Sequence, residues 1–76
     1  MKRYLNKLAN NLLYEMGKDE LTNAEMAKKC GISKRKLEEI IYKENKGLRL
    51  ETLVKISDNL AISLPDLITK EFSLEA

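Results

Sequence analysis

The 76-residue chain contains no histidine and only one cysteine. A structural zinc site needs about four ligands, mostly Cys and His, so the usual zinc-binding patterns are excluded. Histidine-dependent acid–base or nucleophilic chemistry and a disulfide within the chain are excluded as well. We therefore expect no enzyme activity, no metal and no cofactor.

The chain also lacks long apolar runs and has few glycines, prolines and aromatic residues. No apolar run approaches the roughly 20 residues that span a bilayer, and the N-terminal residues are too polar for a signal peptide. We expect a cytoplasmic protein without membrane contact. A composition of 43% hydrophobic and 34% charged residues is typical of a globular chain, and its scarcity of glycine and proline favours helices. The sequence predicts a single all-α domain over residues 1–76.

The net charge of +2 is unevenly distributed. Residues 28–49 contain eight Lys or Arg against three Glu, a local charge of +5, which leaves −3 for the remainder. A basic middle in a chain whose remainder is net acidic indicates one surface that faces an anionic partner. An ordinary solvated surface is the alternative interpretation.

Apolar residues at steps of three and four predict five helices. Their approximate ranges are residues 3–16, 23–30, 34–43, 50–60 and 64–70. Thr22 and Glu25 have the spacing of a capping box at the second helix. Ser33 and Ser63 are N-cap candidates for the third and fifth. Gly17 follows the last apolar residue of the first helix and is expected to end it.

The same periodicity predicts which side chains of the first and fourth helices are buried. In the first helix the predicted inner residues are Leu5, Leu8, Ala9, Leu12, Leu13 and Met16, with Lys7, Asn10, Asn11 and Glu15 outside. In the fourth they are Leu50, Leu53, Val54, Ser57, Leu60 and Ala61, with Ile56 near the edge and largely buried.

The second and third predicted helices are joined by a short turn of the helix-turn-helix type. Ala27 is small enough for the third helix to cross close to it. Gly31 tolerates the positive φ that such a turn requires, and Ile32 would fill the corner with an apolar side chain. This joint spacing, together with the two N-caps, predicts a helix-turn-helix.

Two segments of the chain resemble the Cro-type (XRE, lambda-repressor-like) helix-turn-helix proteins. They are residues 21–33, LTNAEMAKKCGIS, and residues 50–68, LETLVKISDNLAISLPDLI. The resemblance covers about residues 4–69. It implies a five-helix domain whose third helix enters the major groove of double-stranded DNA.

The resemblance also implies roles for individual positions. Asn23 corresponds to a polar residue, usually Gln, that holds a phosphate and braces the third helix. Ser33, Lys34, Arg35 and Glu39 correspond to positions that face phosphates or base edges. Lys36 corresponds to a neighbouring position that can reach the DNA backbone. Asn45 and Lys46 correspond to a loop that runs along the phosphate backbone.

General chemistry also supports DNA binding by this region. Arg35 could donate two hydrogen bonds to guanine, and Glu39 could accept a hydrogen bond from cytosine. Surrounding lysines would contact phosphates. The complete predicted DNA-binding set is Asn23, Lys28, Ser33, Lys34, Arg35, Lys36, Glu39, Lys43, Asn45 and Lys46.

Two alternatives remain open at the level of sequence. Glu38 and Glu39 could form i,i+4 ion pairs with the preceding cations, and these anions favour a second hypothesis, a protein-interaction module such as an antitoxin or antirepressor. For the DNA-binding hypothesis we expect a homodimer on a two-fold site. Its candidate contact residues are Leu64, Ile68, Phe72 and Leu74, which could equally be core residues of a monomer.

Overall fold

The structure, a computed structural model, describes residues 3–44 and 47–69. Five α-helices follow one another: α1 (Arg3–Asp19), α2 (Asn23–Cys30), α3 (Lys34–Ile41), α4 (Leu50–Leu60) and α5 (Leu64–Thr69). α1 packs mainly against α5 and α3, while α2 packs against α3 and α4. The described ranges contain no strand, and the predicted all-α fold is confirmed.

Side chains from all five helices meet in one apolar core. Its fully buried large apolar members are Leu5, Leu8, Leu12, Met26, Leu37, Ile40, Ile56 and Leu67. Leu64 and Ile68 of α5 are partly buried and pack against this core within the monomer. Cys30 is also buried, and burial raises the pKa of its thiol to about 11. It is therefore a protonated core residue at neutral pH.

The first helix continues past Gly17, so the predicted end at this glycine is wrong. α1 ends at Asp19, and Glu20 takes the left-handed conformation with a φ of 55°. The Leu21 amide donates to the Met16 carbonyl oxygen at 2.9 Å, and Leu21 packs against the core. The packing of Leu21 therefore determines where α1 ends more strongly than Gly17 does.

The buried face of α1 differs from the predicted one. Leu13 is 42% exposed, whereas Asn11 and Glu15 are buried. The physical reason is α5, which docks on the Asn11 side of the helix: the Asn11 side-chain amide donates to the Leu67 carbonyl oxygen at 2.7 Å. That carbonyl belongs to α5, so the hydrogen bond ties α5 directly to α1.

The buried face of α4 is also rotated from the prediction. Leu50 and Val54 are exposed, and Ile56, which was expected near the edge, is completely buried. Leu53 and Ser57 are buried beside it, because α2 and α5 both pack on this side.

Candidate nucleic-acid interface

The capping box predicted at the start of α2 is present. The Glu25 amide donates to Thr22 Oγ1 at 3.2 Å, and the Thr22 amide donates to Glu25 Oε1 at 2.8 Å. The hydrogen bonds from the Thr22 backbone and side chain lower the pKa of the Glu25 carboxyl. This cap fixes the first residue of α2, which is Asn23.

The turn between α2 and α3 has the predicted geometry and an additional contact from α4. Gly31 has a φ of 76°, and the Ile32 amide donates to the Ala27 carbonyl oxygen at 3.0 Å. The Asn59 side-chain amide donates to the Cys30 carbonyl oxygen at 2.7 Å. A Cβ at Gly31 would lie 2.5 Å from Asn59 Nδ2. The turn therefore requires glycine for conformation and for space.

Ser33 caps α3 as predicted, because its Oγ accepts from the Lys36 amide at 3.0 Å. α3 buries Leu37, Ile40 and Ile41 against the core. The opposite face is turned to solvent, so the helix presents a continuous outer surface.

On the outer surface of α3, three cations of the first turn form i,i+3 and i,i+4 pairs with two glutamates one turn later. Lys34 Nζ lies 3.7 Å from Glu38 Oε2, and Arg35 Nε lies 3.8 Å from Glu39 Oε2. Both pairs follow the sequence spacing. Lys36 Nζ also lies 3.3 Å from Glu39 Oε1. Exposed pairs of this kind contribute only about 0–1 kcal/mol, so these cations can readily exchange their carboxylate partners for an external anion.

The side chain of Asn23 joins α2 to α3. Its side-chain amide donates to Glu38 Oε2 at 3.2 Å and to the Tyr42 hydroxyl oxygen at 3.0 Å. Sequence reasoning did not include Tyr42 among the site residues. Its position four residues after Glu38, on the same outer face, was the available signal.

Two of the remaining predicted site residues, Lys28 and Lys43, lie outside α3 within the part of the chain that the structure describes. Lys28 lies on the exposed side of α2. Lys43 follows α3 in the left-handed conformation with a φ of 61°. Asn45 and Lys46 lie outside the described residues. A polar groove of about 410 Å³ beside α3 has Lys36 and Arg49 in its lining.

Across residues 3–44 and 47–69, no group of three or more His, Cys, Asp or Glu side chains could hold a metal ion. None of the described helices combines the length and the hydropathy needed to cross a bilayer.

Comparison with known proteins identifies the family. No curated protein and no solved structure matches the chain significantly. The family profile described as Cro/C1-type HTH DNA-binding domain matches residues 11–73, which include α2 through α5 and about half of α1. The five-helix fold and the capped helix-turn-helix agree with this match. The chain therefore belongs to the Cro/C1-type helix-turn-helix DNA-binding domains.

Proposed function

We propose that this chain is a cytoplasmic, sequence-specific transcription regulator of the repressor type that inserts α3 into the major groove of double-stranded DNA. The observation that carries the proposal is the outer surface of α3. Its cationic side chains are available to solvent, and that of Arg35 is 91% exposed, while the opposite face anchors the helix in the core. The major groove is about 12 Å wide and admits an α-helix.

Base recognition would come from the outer side chains of α3. The Arg35 guanidinium can donate two parallel hydrogen bonds to O6 and N7 of guanine, and Lys34 can donate to the same edge. Glu39 can accept from the N4 amino group of cytosine. Each good contact of this type contributes roughly 1–3 kcal/mol of discrimination between bases.

Phosphate contacts would come from α2 and from the start of α3. Lys28 on α2 and Lys36 on α3 carry exposed or half-exposed ammonium groups, and Ser33 and Asn23 lie at the starts of the two helices. Backbone contacts of this kind position a protein on the duplex without reading its sequence.

A homodimer on a two-fold site is part of the proposal. One domain of this size reads only about four to six base pairs, and pairing two half-sites one helical turn apart multiplies the specificity. Leu64 and Ile68 remain candidates for the contact because they are only partly buried within the monomer. Phe72 and Leu74, the other two candidates, lie outside the described residues.

The ion pairs on α3 support a second candidate, the protein-interaction module. Glu38 and Glu39 neutralise part of the cationic surface by pairing with Lys34, Arg35 and Lys36. A surface of mixed charge is less selective for phosphate and suits a protein partner of complementary charge pattern.

Selection of bound sequences from a random duplex pool tests the proposed function with the full chain. We expect enrichment of one motif with two-fold symmetry, and relaxed preference at a guanine position with the Arg35→Ala variant. A chain that enriches no sequence and binds no duplex at low salt would refute DNA recognition and favour the protein-interaction module.

A further inference from the structure

The hydrogen bonds among Glu38, Asn23 and Tyr42 define the direction of each donor. An ionised carboxylate can only accept hydrogen bonds, so Glu38 must face the amino group of the Asn23 side chain. The Tyr42 hydroxyl oxygen lies 3.0 Å from the same nitrogen. Tyr42 must therefore accept from Asn23, because both hydrogens of this amino group are used by its two partners.

This arrangement leaves the Tyr42 hydroxyl proton unused. Within residues 3–44 and 47–69, no side chain accepts a hydrogen bond from this hydroxyl. If the Asn23 amide were reversed, its oxygen would accept from Tyr42 but would also face the Glu38 carboxylate, an unfavourable contact between two acceptors. Glu38 thus fixes Tyr42 as an outward-directed donor.

The position of this donor matches a phosphate group. Tyr42 is 58% exposed, directly follows α3 and contacts the first residue of α2, where the helix dipole favours negative charge. Phosphate oxygens carry only acceptors, and tyrosine hydroxyls are among the side chains that contact them.

We propose that the Tyr42 hydroxyl donates a hydrogen bond to a backbone phosphate of bound DNA, in an orientation that Glu38 fixes through Asn23. This inference rests on the proposed function, because it requires α3 to face the duplex. It also gives Glu38 a role in binding. Its carboxylate, paired with Lys34 and hydrogen-bonded to Asn23, orients a donor at the interface.

The Tyr42→Phe variant removes the hydroxyl and keeps the ring. We expect about a ten- to hundredfold loss of affinity for every duplex that the wild-type chain binds, the size of one hydrogen bond to a charged group. Because tyrosine is neutral, the dependence of affinity on salt should stay unchanged, whereas loss of a cation would reduce it. Tyr14→Phe is the matched control, since Tyr14 lies on α1 beneath Lys18.

A scan with single methylphosphonates locates the contacted phosphate. Each substitution replaces one charged phosphate oxygen by a methyl group. Wild-type and Tyr42→Phe chains should lose affinity in parallel at every position except one, where the loss should be smaller for the variant. A scan without such a position, in a chain that binds DNA, would overturn the contact.

The role of Glu38 is tested by a double-mutant cycle. Glu38→Gln allows the Asn23 amide to reverse. Tyr42 can then donate its hydroxyl hydrogen to the Asn23 oxygen, and this hydrogen is no longer available to a DNA phosphate. Tyr42→Phe should therefore reduce affinity less in the Glu38→Gln background than in the wild type. Equal losses would overturn the orientation by Glu38.

The outcomes separate this inference from the proposed function. A wild-type chain that binds no duplex refutes both. A wild-type chain that binds a selected duplex while Tyr42→Phe binds it equally well refutes the phosphate contact alone. If Tyr42→Phe only lowers the thermal midpoint of unfolding, Tyr42 is a structural residue and the inference is wrong.

Discussion

The side-chain amide of Asn59, near the end of α4, donates a hydrogen bond to the Cys30 carbonyl oxygen at 2.7 Å. This carbonyl belongs to the last turn of α2, where intrahelical donors are missing. Asn59 of α4 therefore supplies a hydrogen-bond donor to the C-terminal end of α2. It also places the Asn59 nitrogen against Gly31, so α4 and the helix-turn-helix form one structural unit.

Gly31→Ala should lower the free energy of unfolding by about 2 kcal/mol, from a strained positive φ and a weakened hydrogen bond to Cys30. Gly17→Ala is the control, because Gly17 lies in an exposed part of α1 with nothing within 4 Å of an added Cβ. This control should raise the free energy of unfolding by roughly 0.5–1 kcal/mol. Urea titrations measure both, and a loss for Gly17→Ala would contradict the observed end of α1.

Ala61→Gly should stabilise the protein by roughly 0.5–1 kcal/mol. Ala61 ends α4 in the left-handed conformation with a φ of 57°, which glycine adopts without steric strain. Ala24→Gly, at an exposed helical position of α2, should have the opposite sign. Thermal unfolding of both variants checks the prediction; destabilisation by Ala61→Gly would be incompatible with this capping geometry.

Asn11→Ala should lower the free energy of unfolding by about 1–3 kcal/mol, because it leaves the buried Leu67 carbonyl without the Asn11 amide. Asn10→Ala is the matched control, since Asn10 is the neighbouring residue and is exposed. The control should change stability by less than about 0.5 kcal/mol. Similar losses for the two variants, measured by urea unfolding, would argue against the docking of α5 through Asn11.

The capping box should contribute a pH-dependent stability. The pKa of Glu25 is lower in the folded state than its ordinary value of 4.5, so its contribution is present above that value and is lost as the pH falls through the folded-state pKa. Glu25→Gln removes this titration. The difference in thermal midpoint between wild type and Glu25→Gln should therefore shrink from neutral to acid pH, and a constant difference would contradict the role of the carboxylate.

Local signals in the sequence predicted the helix-turn-helix well. Thr22, Glu25 and Ser33 act within three residues of their partners, and the positive φ of Gly31 is a property of a single residue. Such features depend on covalent neighbours and are readable without the fold. This explains why the start of α2, the turn and the start of α3 were all predicted correctly.

Features that depend on tertiary contacts were predicted less well. The buried faces of α1 and α4 are set by where α5 and α2 dock, and periodicity alone does not fix the centre of an apolar stripe. Asn11 was assigned to the outside because its partner, Leu67, lies 56 residues away. The hydrogen bond between Asn23 and Tyr42 was not predicted for the same reason, since it crosses between helices.

The most direct test of DNA recognition by α3 is a salt titration of binding to the selected duplex. We predict that log affinity of the wild type falls linearly with log salt between about 50 and 200 mM. Arg35→Ala should bind less tightly and lose specificity at one base pair. Lys18→Ala, which removes a cation of α1 paired with Glu15, should leave specificity unchanged. Equal effects of Arg35→Ala and Lys18→Ala on affinity and specificity would contradict the insertion of α3 into the major groove.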